Sequence, residues 1–477
     1  MEILECIPNN LYLAIHSDGL KKSYSDLHLD TQMLIKNFRK IFNQNKICVW
    51  VESRNDYKTI LTFIALWQLD HFVVPIDLGK TKQELQLIKG QLKPDCILIS
   101  DINSDLLSFS DIPIISVNEV FEFEILKHSP HLLSTESKVF SVAHLAQFSS
   151  GSTGNSKVIL INKSAIRNRA DSIKNELQLT NLDRTLCTVP ITHSHGIDCL
   201  ILPTLFAGGQ LFMIDHRTAF PNRILHWLDE NQITFFSSVP QTYHFINEIS
   251  EQKKYNLSQL RHAFCGSAAL QESVAMKFLE HYKIYLRQGY GLAEVGVITL
   301  NLENDIRSLT SIGKVIEGIE WQVQPDGELV VKSESLFVGY LENNEITKSR
   351  FVNDFFLTED LVSVDDQQRL FLIGRKNDII NSSGLKFFPA EVENVVMSFG
   401  CIHECAVVCV KDTERGEVAI LHAVHNSTNS DSDVETALIK FLQEKISGHK
   451  IPKKIHWHRQ LPKSPLGKVL KSKLVSL

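Results

Sequence analysis

The stretch "AQFSSGSTGNSKVILIN", Ala146–Asn162, sets a loop of glycine and hydroxyl residues between two apolar runs. Glycines cost backbone entropy on folding, so their concentration here answers a geometric need. Consecutive small residues can turn backbone N–H and side-chain O–H donors toward an anion, and Lys157 adds a full charge. The Walker A pattern GxxxxGK[ST] cannot be laid on this stretch. The residues after Lys157 read as a strand, whereas a P-loop opens a helix. The predicted geometry is a strand–loop–strand flap that closes over phosphates. A surface hairpin with no ligand is the plain alternative.

Around this loop, short runs rich in Val and Ile alternate with amphipathic segments. "ICVWVES", "FVVPID", "CILIS" and "IPIISV" read as strands, and "NDYKTILTFIALWQLDH" carries apolar residues at helical spacing. Strand, helix and strand in repetition predict parallel sheets layered with helices, an α/β architecture. Later the texture changes. "GELVVKS" is a strand behind the turn Asp326-Gly327, and "DQQRLFLIGRKNDIINSSGLKFFPAEVENVV" runs from strand to turn to helix, with Pro389 in the first helical turn. After Gly374 come the helix-like "DVETALIKFLQEKIS" and strands around "ECAVVCV", "VAILHAVH" and "KIHWH". These predict a large domain over 1–374 and a small α+β domain over 375–477.

A chain of 477 residues with 43% hydrophobic and 22% charged content is globular and exceeds one ordinary core. Its formal charge of -6 gives no support for a nucleic-acid partner. Nine cysteines without a CxxC pair suit a reducing compartment. Cys401, Cys405 and Cys409 are spaced four residues apart, which matches no zinc pattern, and read instead as small hydrophobes on a buried strand. The N-terminus lacks the basic start and apolar run of a signal peptide. The most apolar window, Gly196–Ile214, holds Asp198, Pro203, three glycines and Gln210, so it reads as a buried helix followed by a strand. The expectation is a cytoplasmic protein with no membrane span.

Seven motifs in order give the sequence a specific resemblance. "FSSGSTGNSK" resembles "TSGTTGxPKG", "PITHSHG" resembles "PLFHxxG", "FCGSAAL" resembles "GxAPL", and "QGYGLAE" resembles "GYGxTE". "LTEDLVSVDDQQRLFLIGRKNDII" resembles "TGDxxxxDxxGxxxxxGRxxDxI", "SSGLKFFPAEVE" resembles "GxxxxPxEIE", and "LPKSPLGKVLKSKL" resembles "LPxTxxGKxxRxxL". Over roughly residues 140 to 477 the chain resembles the adenylate-forming superfamily: acyl-CoA synthetases, acyl-AMP ligases, nonribosomal-peptide adenylation domains and luciferases.

That resemblance implies ATP-dependent conversion of a carboxylic acid to an acyl-adenylate, with release of pyrophosphate, and then to a thioester. It implies that Ser149, Ser150, Gly151, Ser152, Thr153 and Gly154, with Lys157, wrap the phosphates, and that Glu294 contacts Mg²⁺. Tyr290 is expected against adenine, Gly266, Gln288 and Gly289 along the slot floor, and Asp360 and Arg375 on the ribose hydroxyls. Lys468 is expected to bridge carboxylate and α-phosphate, and Asn377 to serve as the hinge of a mobile C-terminal domain. His193, His195 and Gly291 are expected to line the acid pocket, with a purely structural role open for His195, and Gly384 to line the thiol tunnel. Three departures bear on the acceptor and the acid. Ala293 replaces the usual Thr, as in ligases that load carrier proteins, Ser383 replaces a basic residue, and Ser194 disfavours an α-amino acid. CoA is the leading acceptor, followed by the phosphopantetheine thiol of an acyl carrier protein. An adenylate-binding protein without catalysis is the rival from another class.

Overall fold

The computed structural model describes residues 2–17, 19–42, 45–100, 104–109, 111–117, 123–127 (backbone only), 142–148, 157–412, 416–426, 430–463 and 469–475. Two sheets organise the larger part. In the first, five parallel strands run in the order Leu145–Phe148, Phe72–Asp77, Cys48–Ser53, Cys96–Ile99 and Ile114–Val117. Antiparallel strands close its edges, Val158–Ile161 and Gly339–Tyr340 on one side and Phe123–Lys127 on the other. The second sheet has six parallel strands: Arg287–Leu292, His262–Cys265, Phe235–Ser238, Arg184–Cys187, Gln210–Met213 and Leu13–Ser17. Its edges are antiparallel as well, through Gly296–Leu300 and Leu20–Ser23.

Why these residues form a buried layered core is visible in one helix. Tyr57–Gln68 starts from Asp56, whose carboxylate accepts from the Thr59 N–H, and ten of its twelve residues are buried. A helix apolar on every side must be covered on every side. Its Ile60, Leu61 and Phe63 belong to one cluster with Val49, Val73 and Leu145 of the first sheet and Leu211 and Met213 of the second. Full burial of each such side chain stabilises the fold by about 1.5–3 kcal/mol. The Trp67 indole also donates to the carbonyl of His144, which pins the chain just before strand Leu145–Phe148 at 2.9 Å.

The α/β expectation holds, with one addition. Residues 319–375 form an antiparallel sheet of Ile319–Val323, Glu328–Ser333, Phe355–Val364, Phe351–Val352 and Leu370–Arg375. Most of its strands are joined by short turns, and a tight turn such as Asp326-Gly327 (Gly327 φ 91°) can join only antiparallel neighbours. The Gly196–Ile214 window is helical and then a strand, as expected, but Ile197–Ile201 winds as a π-helix.

Residues 380–457 build a separate sheet: Leu385–Phe387, Ile380–Ser382, Gly416–His425 and Ile402–Asp412, with Lys454–Trp457 parallel to Gly416–His425. Helices Pro389–Met397 and Asp431–Lys445 cover it, and Val392, Val396, Val407, Leu421, Leu438 and Leu442 make its own core. "DIINSSGLKFF" contains a hairpin that a strand-to-helix reading passes over. Ser383 (φ 55°) and Gly384 (φ 86°) form its two-residue turn, both left-handed as a type I′ turn requires. Cys405 lies on strand Ile402–Asp412, its thiol donating to the Glu393 carbonyl and pushed up in pKa by burial. Among the described residues no helix is long and apolar enough to cross a membrane.

Candidate active site

The chemistry-bearing segments collect beyond the carboxyl ends of the parallel strands, where open α/β sheets bind ligands. The first is the glycine–hydroxyl loop. Strands Leu145–Phe148 and Val158–Ile161 pair antiparallel, with Phe148 opposite Val158, so the chain enters and leaves the glycine–hydroxyl segment on adjacent strands. No helix follows it for a P-loop to cap. Ser149, Ser150, Gly151, Ser152, Thr153 and Gly154 lie outside the described residues, as does Lys468.

At the loop's exit the Lys157 ammonium sits 4.9 Å from the centre of the Tyr340 ring. Tyr340 is held on the strand Gly339–Tyr340, which pairs with Val158–Ile161. Its phenol donates to Glu294 Oε1 at 2.8 Å. Thus Lys157 and Glu294, distant in sequence, meet on the two sides of one tyrosine.

Glu294 occupies the turn between strands Arg287–Leu292 and Gly296–Leu300. Its carbonyl accepts from the Phe337 N–H at 2.7 Å and from Arg169 Nη2 at 3.0 Å, so the turn is fixed by its backbone. Glycine is demanded just before it. A Cβ on Gly291 would stand 2.2 Å from the Gly296 carbonyl oxygen, where the pairing shifts register. A carboxylate is the hard oxygen donor that Mg²⁺ takes, and Mg²⁺ suits one protein carboxylate completed by phosphates and water. Among the described residues no three His, Cys, Asp or Glu side chains converge as a metal cage. The Glu294 carboxylate by itself fits Mg²⁺ of that kind.

The next cluster joins three segments. Tyr290 donates its phenol to Asp360 Oδ2 at 2.6 Å, and Arg375 Nε donates to Asp360 Oδ1 at 3.1 Å. Asp360 and Arg375 face one another across the antiparallel pair Phe355–Val364 and Leu370–Arg375. Burial, with the Asp360 charge beside it, pushes the Tyr290 phenol well above its ordinary pKa, so it stays a donor. A buried carboxylate with guanidinium support is suited to accept hydroxyl donors. Gly266 and Gly289 run close together, since a Cβ on Gly266 would lie 3.5 Å from the Gly289 carbonyl oxygen. Gln288 behaves differently from a slot-floor residue. Its side chain turns inward, donating to the Leu309 and Ser311 carbonyls and accepting from the Leu270 N–H, so it anchors the strand.

His193 and His195 start the short helical segment after strand Arg184–Cys187. His193 Nδ1 accepts from the His195 N–H at 3.3 Å, capping the segment. His195 is buried with both ring nitrogens engaged, Nε2 at 2.7 Å from Ser237 Oγ and Nδ1 at 3.2 Å from Ser267 Oγ. Burial is the main cause that lowers its pKa to about 3, so it is a neutral imidazole at any working pH. The ring borders Gly266, whose Cβ would be 3.4 Å from His195 Cε1. The ring thus lies against Gly266 while its two hydrogen bonds hold it still.

Asn377 lies in the one-turn 3₁₀ helix Lys376–Asp378 that links the antiparallel sheet to the small one. Its neighbour Lys376 binds Asp326 and Glu328 of that antiparallel sheet, which anchors the near side of the link. Gly384, by contrast, stands at its hairpin turn with open space around it.

Two residues of the site were not singled out from the sequence, Tyr340 and Arg169. Tyr340 offers no local signal. Arg169 does: in "KSAIRNRADSI" it falls among Ala165, Ile166, Ala170 and Ile173, an apolar helix face on which a charge needs a buried partner. That partner is Asp198.

The chain matches the AMP-binding enzyme family over residues 10–341 and the AMP-binding enzyme C-terminal domain over residues 391–468. It is 27% identical over 429 residues to a 2-succinylbenzoate–CoA ligase of Listeria monocytogenes, covering 88% of this chain and 87% of the relative. A feruloyl-CoA synthase of Amycolatopsis is 27% identical over 343 residues, 69% of each chain. The fold superposes on ATP-bound MatB from Rhodopseudomonas palustris with a TM-score of 0.87 at 20% identity, covering 99% of this chain and 97% of that one. With both family matches in order along the chain, the protein belongs to the AMP-binding enzyme family, the adenylate-forming superfamily.

Proposed function

We propose that the protein is an ATP-dependent, AMP-forming acid–thiol ligase acting on a small aliphatic or aryl carboxylic acid, with CoA as the thiol. The observation that supports this reading is that Tyr290, on the strand leading into the Glu294 turn, hydrogen-bonds Asp360, which Arg375 also binds, so that distant motif residues meet. In the first step a carboxylate oxygen attacks the α-phosphorus of ATP, the bond to the β-phosphate oxygen breaks, and pyrophosphate leaves. In the second a thiolate attacks the acyl carbonyl and AMP departs.

The two reactants of the first step are both anions, so binding them together and neutralising charge are the tasks of the site. Residues 149–154 and Lys157 would hold the outer phosphates, and Lys468 would meet the α-phosphate and the acid. Asp360 and Arg375 would fix the ribose, and Tyr290 and Gly289 would bound the base. Glu294 would hold Mg²⁺, which supplies charge neutralisation on the phosphates when bound. His195, neutral and doubly hydrogen-bonded, keeps a fixed polar wall near the acid without adding charge. Rotation about Asn377 would exchange the two half-reactions, with Gly384 moving to the thiol's path.

ATP–pyrophosphate exchange over a broad panel of acids tests the first step, and product formation with CoA against a holo carrier protein tests the second. Lys468→Ala should suppress exchange by two orders of magnitude or more while leaving thioester formation from supplied acyl-adenylate largely intact, roughly the weight of one charged contact in a dry site. Equal loss of both half-reactions removes Lys468 from its assigned role. ATP binding without exchange on any acid rejects the ligase reading in favour of an adenylate-binding protein.

A further inference from the structure

Arg169 is among the most buried charges of the protein, with 1% of its side chain exposed, the same as its partner Asp198. It rises from helix Lys163–Glu176, and its guanidinium makes three hydrogen bonds to three separate segments. Nε donates to the Ser335 carbonyl at 2.9 Å, Nη1 to Asp198 Oδ2 at 3.2 Å, and Nη2 to the Glu294 carbonyl at 3.0 Å. The aliphatic stem is clamped too. Gly296 (φ 88°) lies so close that a Cβ there would be 2.9 Å from Arg169 Cγ.

Each of the three segments carries part of the candidate site. The Glu294 turn presents the carboxylate, and the Ser335 turn leads to Phe337, which also binds the Glu294 carbonyl, and to Tyr340, which binds its side chain. Asp198 sits in the π-helical stretch Ile197–Ile201, directly after His193–Gly196. An apolar pair of similar volume can fill such a buried site at comparable stability, so what the charged fork adds is fixed geometry. A guanidinium holds several acceptors in one plane, which an ammonium cannot.

We infer that Arg169 is a positioning residue for metal–nucleotide binding: it fixes the Glu294 turn and ties it to the histidine-bearing segment through Asp198. The inference rests on the proposed role of Glu294 at a metal-bound ATP. Arg169 acts through Glu294, so its loss is expected to weaken the Mg²⁺-dependent part of ATP binding and leave the rest.

The test uses the full chain and two variants, Arg169→Lys and the paired Arg169→Met with Asp198→Leu. ATP binding is measured calorimetrically with Mg²⁺ and with EDTA, and thermal melting is recorded for each. Both variants should lose tenfold or more in Mg²⁺-dependent affinity while binding in EDTA stays within twofold, and the paired variant should melt close to the wild type. Wild-type Mg²⁺ dependence in either folded variant overturns the inference. So does an equal loss with and without Mg²⁺, or failure of both variants to fold, since each makes Arg169 a stability element only. If the wild type binds Mg²⁺–ATP but exchanges no acid, the ligase reading fails while this one is still decided by the binding data.

Discussion

Replacing His195 with glutamine tests whether the ring is held neutral between its two hydroxyl partners. The residue is 7% exposed and both nitrogens are engaged, by Ser237 and Ser267. Burial, with the His193 charge as a lesser cause, lowers its pKa from 6.5 to about 3. In the unfolded chain a histidine titrates near about 6.5. Below that pH the unfolded state takes up a proton that the folded state refuses, so stability falls as pH falls. Each pH unit of this linkage is worth about 1.4 kcal/mol, which makes the wild-type penalty at pH 5 about 2 kcal/mol. Glutamine carries no titrating group and reaches one hydroxyl instead of two, at a cost of about 1 kcal/mol for the lost bond. The two effects oppose each other. The variant should be the less stable protein at pH 8 and the more stable one at pH 5. Urea unfolding of both proteins at half-unit pH steps reads the crossing directly. A stability difference that stays constant between pH 8 and pH 5 refutes a neutral, buried His195.

Gly291→Ala should cost about 3 kcal/mol and abolish ATP binding, because its Cβ meets the Gly296 carbonyl at 2.2 Å and the Val297 Cα at 2.8 Å, both backbone atoms of the paired strand. A melting temperature near the wild type would mean that the hairpin opens without strain. Gly384→Ala should be milder, about 1–2 kcal/mol, since only the left-handed backbone at φ 86° resists and nothing stands within 4 Å; denaturant midpoints decide between the two. Asp360→Asn keeps an acceptor for Tyr290 but cancels the charge facing Arg375. ATP affinity should fall ten- to a hundredfold, about 1.5–3 kcal/mol, and unchanged binding by calorimetry would take Asp360 out of the nucleotide site.

What was legible in the sequence was local. The runs "ICVWVES" and "CILIS" form strands because β-branched residues suit a pleated, buried surface. The turn at Asp326-Gly327 and the helix start at Pro389 follow from backbone preferences of single residues. The motif set located the candidate site because its residues lie within seven short stretches, each readable on its own. Arg169 escaped although its helix face announced it, and the Ser383–Gly384 hairpin escaped because a three-residue strand carries too little periodicity to register.

By itself, then, the sequence determined the α/β layering, the strand–loop–strand setting of "SSGSTGNSK" and the residues that could serve an adenylate-forming site. Only the tertiary structure decided how they act together: that Lys157 and Glu294 share Tyr340, that Gln288 anchors its strand from within, and that Arg169 binds Asp198 and Glu294 at once. The physical reason is range. Propensity, capping and turn chemistry act over a few residues, whereas the partner of a buried polar group is set by which strands pair and which helices cover them. Arg169 and Glu294 stand 125 residues apart, and their hydrogen bond exists only once both sheets are in place.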